Sequence, residues 1–376
     1  MGRRSVVRLA LVSMCKTELA LFVALLVGRP AASAAPISLT ESQRIKLVEW
    51  VATETEVNKL FQKLQRVAEA SVNHPGNPIV QIHTAGRLEM DPLKEQSRAG
   101  LEDMKKLEAL GYAAAVTTNR TYLEAARRII LRWARVNQPT GVPIDETKLE
   151  PLWVAYDLTR SAFSPADRKV VEDWLRRVAS LELERVQTNS VTAMNNWNSH
   201  RLKVVGLIGF LLDDERLIEE AVRGFKRQVA LNLQADGSSF DFHQRDALHY
   251  HCYDLEPLLV LAIAARQNGL DLAGYQAPTG ASLMKSVSFL VPYCDGTTSH
   301  VEWVRSRVKF DHERAAAGEK GFQPGTTFHP RDARHIFELA SFFDASYAAL
   351  ALKLSDRQGL KYPNWQAVIH SVRKCR

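Results

Sequence analysis

Arg245-Asp246-Ala247-Leu248-His249-Tyr250-His251-Cys252-Tyr253-Asp254-Leu255-Glu256-Pro257-Leu258 places two histidines, two tyrosines, an arginine and three carboxylates in one short segment. Ala247, Leu248, Leu255 and Leu258 recur at helical spacing, so the segment reads as one helix with one face in a core and another in a cleft. Residues i, i+3 and i+4 share a helical face. His249, Tyr253 and Glu256 therefore align, as do Asp246, Tyr250 and Tyr253. A tyrosine and a histidine projecting from one rigid helix can offer a proton donor and a proton acceptor at fixed spacing.

Outward from this segment the pattern is helix after helix. Thr40-Glu41-Ser42-Gln43 has capping-box form before an amphipathic run to about Val72. Residues 73–92 open with Asn73-His74-Pro75-Gly76-Asn77-Pro78 and read as a loop. Helices are expected at about 93–116, 120–136, 146–160, 165–186, 195–211 and 214–233, with Ser164-Pro165 starting the fourth of these. Asp236-Gly237-Ser238-Ser239 is a turn, the helix of the central segment runs to about Gln267, and another helix covers about 279–291. Residues 293–330, rich in Gly, Thr, Pro and charge, read as irregular loops before helices at about 331–354 and 363–373. Long antiparallel helices with short connections and no alternating strand pattern predict an all-α ring of helical hairpins. No fixed-period repeat and no Pro/Ser-rich linker interrupts the chain, so residues 35–376 are expected to form one domain.

The 376 residues are 46% hydrophobic, enough for a large core. Arg3, Arg4 and Arg8, the apolar stretch Leu19 to Val27, and Ala32-Ser33-Ala34 have the form of a signal peptide cleaved after Ala34 or Ala35. A membrane anchor is the alternative, but the apolar run is short and Lys16 and Glu18 interrupt it. Residues 1–34 hold five basic residues and one acidic residue, so their removal takes the formal charge from +7 to +3. That is too mild to imply nucleic acid, though local basic patches can attract a polyanion. The expectation is a periplasmic or secreted monomer with no membrane contact after cleavage. Cys15 leaves with the signal. Of Cys252, Cys294 and Cys375, the pair Cys294–Cys375 is the candidate disulfide, and Cys252 is expected as a buried thiol.

A second polar cluster, Met194-Asn195-Asn196-Trp197-Asn198-Ser199-His200-Arg201, opens the helix that continues into Leu202-Lys203-Val204. Asn195 reads as an N-cap. Asn196 and His200 are i, i+4 neighbours, as are Trp197 and Arg201, at a helix end that favours an anion.

Together the two clusters resemble the alginate lyase family of polysaccharide lyases. Residues 247–258 are similar to the family's Ala-Leu-x-Tyr-His-x-Tyr-x-Leu-x-Pro-Leu helix, and Asn195-Asn196 to the start of its Asn-Asn-His motif. Ser288-Phe289-Leu290-Val291-Pro292-Tyr293 is similar to a helix end in the family. The resemblance spans roughly residues 80–300 and is specific in the two short motifs. It implies an (α/α) toroid with a deep groove, and cleavage of an acidic polysaccharide by β-elimination without a redox cofactor. Two departures stand out: Trp197 falls on the family's catalytic His, and Asp246 on the Arg before Ala-Leu. His200 and Arg245 are the candidate replacements. The departures point to alginate, glucuronan or a related polyuronate rather than to alginate alone.

The residue types suit that chemistry. The C5 proton of a hexuronate is weakly acidic while C6 carries a charged carboxylate. Asn196, with a cation or a protonated His, can bind the carboxylate and stabilise an enolate-like transition state. Tyr253 matches the family's catalytic Tyr and is the candidate acid and base; His200 is the alternative base or carboxylate neutraliser, and Tyr250 a secondary candidate. Arg245, Trp197, Arg201 and His249 are candidate substrate contacts, and His83 and Arg87 candidate lid contacts. Trp303, with Arg305 and Arg307, is a candidate sugar-stacking and carboxylate-pairing cluster, whereas Asp311-His312-Glu313-Arg314 reads as a solvated charge run.

No His-Glu-x-x-His or paired Cys-x-x-Cys motif occurs, and His249 and His251 diverge on a helix, so no catalytic metal is expected. Two rival readings remain. A glycoside hydrolase on a similar ring would need two carboxylates across the cleft, drawn from Asp241, Asp246, Glu256 and Glu302. A non-catalytic polysaccharide-binding protein would keep the groove alone.

Overall fold

The helices of the computed structural model, which describes residues 36–186, 190–357 and 359–375, follow the sequence expectation closely, and the differences fall at the breaks. The first amphipathic run divides into α1 (Glu41–Thr53) and α2 (Thr55–Ser71), because Glu54 is extended between them. Thr40 and Gln43 form the expected capping box. Then come α3 (Pro92–Thr117), α4 (Arg120–Val136), the single turn α5 (Pro143–Glu146), α6 (Glu150–Thr159) and α7 (Pro165–Glu184), the last with Ser164 as its N-cap. Next are α8 (Asn196–Leu212) and α9 (Glu215–Asn232).

The central segment departs most from its reading. It is not one helix: α10 (Phe240–Arg245) ends at Asp246, whose φ of 50° is left-handed, and α11 (Leu248–Gln267) starts afresh after Ala247. The helix after 279 shortens to α12 (Leu283–Phe289) and α13 (Val291–Asp295). The region read as irregular holds α14 (Lys309–Ala316) inside a two-residue antiparallel ladder, β1 (Val301–Glu302) with β2 (Thr326–Thr327). The chain closes with α15 (Arg334–Ala340), α16 (Tyr347–Leu354) and α17 (Trp365–Arg373).

Burial sorts the helices into two layers. α8 and α11 are buried nearly all round, as inner helices must be, and even Asn196, His200, Lys203 and Asp254 are inside. α4 and α9 bury one stripe and leave a charged face in water. The inner helices pack in chain order: α3 on α6, α6 on α8, α8 on α11, and α11 on α15, while α17 joins α15 to α1 and α2. Residues from α3, α6, α8, α11, α15 and α17 line one cavity, which therefore lies on the axis of the ring. This is an all-α toroid of helical hairpins, as the sequence reading expects. Ala35–Arg376 forms one compact unit. The signal-peptide reading concerns residues 1–34, outside the described residues.

Cys252, Cys294 and Cys375 are all free thiols, which corrects the Cys294–Cys375 pairing. Cys294 is buried, with Sγ toward the Pro330 carbonyl, and Cys375, just past the end of α17, turns its Sγ to the Ser371 carbonyl of that helix.

The loop between α4 and α5 sets where α5 and its following turn stand. Gly141 sits at φ 71°, its N–H and that of Thr140 donate to the Glu146 carboxylate, and a Cβ there would lie 2.6 Å from the Leu181 carbonyl oxygen. Gly141→Ala is therefore expected to destabilise the fold by about 1–3 kcal/mol, read as a lower midpoint in urea denaturation.

Candidate active site

Asn196 is the first residue of α8, after an N-cap by Asn195, whose side chain accepts from Trp197 N at 3.0 Å. Its own side chain is fixed from below. Asp241, fully buried on α10, accepts from the Asn196 side-chain amide and from the Asn196 main-chain N–H at 2.9 Å. Asn232 at the end of α9 donates to the same carboxylate at 2.8 Å. Burial pushes Asp241 up to about 6, against the pull of these amides and of Arg245. One carboxylate thus ties three helices together and sets the rotamer of Asn196.

Tyr253 stands one turn into α11. Its ring lies 4.4 Å, centroid to centroid, from that of His200 on the neighbouring α8. Burial, with Glu256 and Tyr250 nearby, raises the phenol well above its ordinary range, so it is protonated at neutral pH. His200 is buried, and its Nδ1 is 3.0 Å from the Thr147 hydroxyl. Pro257 has no N–H, so the Tyr253 carbonyl one turn earlier lacks its helical donor. His200 Nε2 forms no well-shaped hydrogen bond, and the Tyr253 carbonyl is the one neighbour that favours its proton. Burial, Lys203 and Lys148 outweigh that and hold the ring neutral. These surroundings favour the neutral imidazole over the charged form that the sequence reading offered as a carboxylate neutraliser.

Two cavities meet at Tyr253. The axial cavity, about 350 Å³, follows α11 from Tyr253 through Glu256 and Val260 to Ile263. The upper cavity, about 400 Å³, lies between α8, the start of α11, residues 84–87 and α14. Tyr253 and Lys148 line both. Asp145 on α5 accepts from Thr84 N, Thr84 Oγ1 and Ala85 N at 2.6–2.8 Å, which holds the 84–87 loop over the upper cavity. The same loop touches the chain beyond α14, where Glu89 N donates to Glu319 at 2.7 Å.

Among the candidates from the sequence, Asn196, Trp197, Arg245, His249, Tyr250, Tyr253 and Arg87 line the upper cavity together, and His200 lines the axial one. His83 stops short of it, with its N–H donating to Ser97 Oγ at 2.8 Å. Arg201 is a correction: its guanidinium is buried against Glu182 at 3.4 Å, in the wall between α7 and α8, and lines neither cavity. Arg245 reaches the upper cavity but is already paired with the buried Asp311, and its guanidinium lies 3.7 Å over the Tyr250 ring. Burial and the nearby Arg314 and Arg245 push His249 down to about 4.

The late loops also depart from their reading. Trp303 is buried against Tyr250, His249 and Phe322, so it supports the wall and offers no face to a sugar. Arg305 pairs with Asp246 at 3.2 Å, and Arg307 donates to the His243 carbonyl. The supposed charge run supplies Asp311 to the core and Arg314 to the cavity, where Arg314 lies over Phe322, pairs with Glu319 at 2.7 Å and approaches the Tyr250 hydroxyl at 3.4 Å. Of the four hydrolase candidates, Asp241 is buried beneath Asn196, Asp246 is turned to Arg305, and Glu302 is buried and accepts from His249 N at 2.8 Å. Only Glu256 faces one of the two cavities, the axial one.

The sequence reading missed Lys94, Lys148, Phe310, Arg314 and Phe322, all on the wall of the upper cavity. With Arg87 and Arg245 this wall carries five cationic side chains, and no carboxylate stands among its lining residues. Four of the five have acidic partners: Arg87 with Asp91, Lys94 with Glu89, Arg245 with Asp311, and Arg314 with Glu319. No local signal singles out Lys148, because its place depends on how α6, α8 and α11 close around it. Among the described residues, no group of three or more His, Cys, Asp or Glu side chains is placed to hold a metal ion.

This geometry has relatives. A family model described as alginate lyase matches residues 51–301. An alginate lyase of Stenotrophomonas maltophilia (strain K279a) is 25% identical over 315 residues, covering 76% of this chain and 40% of that protein. A polysaccharide lyase of the same organism is 29% identical over 140 residues, covering 36% of this chain and 41% of that protein. The chain thus spans about two fifths of the length of the curated relatives it matches. Among solved structures, an alginate lyase from Bacteroides ovatus superposes with a TM-score of 0.65 at 16% identity, covering 90% of this chain and 99% of that one. A variant of alginate lyase A1-III, an enzyme of Sphingomonas species A1, was solved with a tetrasaccharide and matches with a TM-score of 0.59 at 18% identity, covering 82% and 88%. At these identities the solved structures speak for the fold.

Because the Arg245–Asp311 pair is buried, removing one partner strands the other. Asp311→Asn is expected to cost about 3–5 kcal/mol in urea denaturation. The double change Arg245→Met with Asp311→Leu is expected to recover most of that loss.

Proposed function

The chain belongs to the alginate lyase family, and from that premise we propose that it is a polysaccharide lyase that cleaves a uronic-acid polymer, alginate or a related polyuronate, by β-elimination. The observation that carries the reading is the wall of the upper cavity, with five cationic side chains, no carboxylate, and both Asn196 and Tyr253. Such a wall suits a chain with a negative charge on every sugar.

In this reading Asn196, its amide fixed by Asp241, hydrogen-bonds the substrate carboxylate as negative charge moves onto it. The Tyr253 oxygen gives its proton to the departing O4 and takes the C5 proton. The C5–H and C4–O4 bonds break, a C4=C5 double bond forms, and neither water nor an oxidant is consumed. For a uronate with H5 and O4 on one face, a single oxygen can do both, and it begins and ends as a phenol. That matches a phenol that burial keeps protonated. His200, neutral and beside both the Tyr253 ring and its carbonyl, holds the tyrosine in place.

A hydrolase would need paired carboxylates across the reacting bond. The axial cavity does contain Glu108, Glu150 and Glu256, but Glu150 pairs with Lys203 at 2.7 Å and Glu256 lies 4.0 Å from the same ammonium. This arrangement favours the lyase. A periplasmic or secreted location belongs to the same proposal, supported by the signal-like residues 1–34.

Two measurements test the reading. Incubation with a panel of polyuronates is expected to raise the ultraviolet absorbance of an unsaturated uronate end, and Tyr253→Phe is expected to lower that rate by roughly 100-fold or more. New reducing ends without absorbance would indicate a hydrolase, and binding without either a non-catalytic protein. N-terminal sequencing of exported protein is expected to begin at Ala35 or Pro36, and an intact Met1 there would refute the signal reading.

A further inference from the structure

We infer that Lys148 is a further catalytic residue, the cation that pairs with the substrate's C6 carboxylate during elimination. The inference deepens the lyase reading and rests on it. Position is the first argument. Lys148, in the turn between α5 and α6, lines both cavities, a place it shares only with Tyr253 among their lining residues. It also shares the upper cavity with Asn196, so the amide, the ammonium and the phenol border one space. These are the three functions the step requires: a hydrogen-bond donor to the carboxylate, a charge to offset it, and a proton carrier for O4 and C5.

Availability is the second argument. The other four cations on the upper wall have acidic partners within 4 Å, whereas Lys148 has no hydrogen bond or ion pair among the described residues. Asp145, three residues earlier, is committed to Thr84 and Ala85. The position that carries the family's arginine is Asp246 here, and it faces Arg305. Arg245, one residue away, is spent on Asp311. The charge missing from those positions is present at Lys148, which comes from a different part of the chain.

In the step itself Lys148 keeps its proton. It pairs with the carboxylate as electron density from the breaking C5–H bond spreads onto it, while the proton passes through Tyr253 to O4. The groups around the ammonium are Asp145 on α5, Glu256 on α11, Lys203 and His200 on α8, Lys94 on α3, and Tyr253. Burial, Lys203 and Lys94 lower the pKa of Lys148, and Asp145 and Glu256 only partly oppose them. An ammonium with a depressed pKa is lost as pH rises, earlier than an ordinary lysine. Arginine keeps its charge there.

The test uses the full chain. Lys148→Met is expected to lower kcat/KM by roughly 100-fold or more. Lys148→Arg is expected to restore much of it and to move the alkaline limb of the pH profile upward. In a Tyr253→Phe background, where turnover is slow on the timescale of the titration, calorimetry with a saturated polyuronate tetrasaccharide is expected to show about tenfold or more weaker binding on Lys148→Met. The carboxyl-reduced tetrasaccharide should bind both backgrounds alike. A folded Lys148→Met that keeps kcat/KM within about threefold of an active wild type overturns this inference and leaves the lyase reading standing. Equal loss of binding for the charged and the reduced sugar also overturns it, since that marks a packing role. A wild type that forms no unsaturated product from any polyuronate overturns both.

Discussion

The left-handed turn at Asp246 is the constraint on which the site depends. A helix running unbroken from Phe240 to Gln267 would place Arg245 and Tyr253 in fixed rotation about one axis. The chain stops at φ 50° instead and restarts at Leu248. A left-handed aspartate costs on the order of 1 kcal/mol. The late loop offsets it: Trp303 N donates to the Asp246 carbonyl at 2.9 Å, Arg305 N donates to its carboxylate at 2.9 Å, and His300 Nε2 lies 3.1 Å from the carbonyl. The break frees Arg245 to face Asp311, and it aims α11 so that Tyr253 borders both cavities.

Electrostatics then separates two kinds of cation. Those with a carboxylate in contact build the wall: Arg245 holds α14 through Asp311, and Arg314 holds the segment beyond it through Glu319. Their charges are largely offset before any substrate arrives. A cation with no such partner keeps its field in the cavity, where low dielectric makes it worth more than at the surface. The pocket is therefore cationic in lining, yet much of that charge is structural. Lys148 is the exception on which the further inference rests.

The network below the cavity fixes the rotamers on which the proposed elimination depends. Asp241 joins α8, α9 and α10 through Asn196 and Asn232. Pro257 in mid-helix removes a donor, and His200 sits against the carbonyl this exposes while Thr147 meets its other nitrogen. Asn196 and Tyr253 come from helices that pack directly on each other, so the distance between them is set by core packing and not by a loop.

Local pattern alone determined most of the helices, the caps at Thr40, Ser164 and Asn195, and the two motifs that hold Asn196 and Tyr253, because periodicity and capping are properties of neighbours in sequence. The resemblance carried by those motifs pointed correctly to family and fold. What the sequence did not contain was the pairing of charges. Arg245 and Asp311 are 66 residues apart, and no spacing rule could report that one cancels the other. In the run Asp311-His312-Glu313-Arg314, His312 and Glu313 are exposed as read, but Arg245 of α10 buries Asp311 and the upper wall takes Arg314. Trp303 looked like a sugar platform until Tyr250 and Phe322 covered it. Nothing near Lys148 in the sequence marked it out. Which ionised groups are spent on structure and which remain for a substrate is a sum over contacts distant in sequence, and only the closed ring of helices fixes that sum.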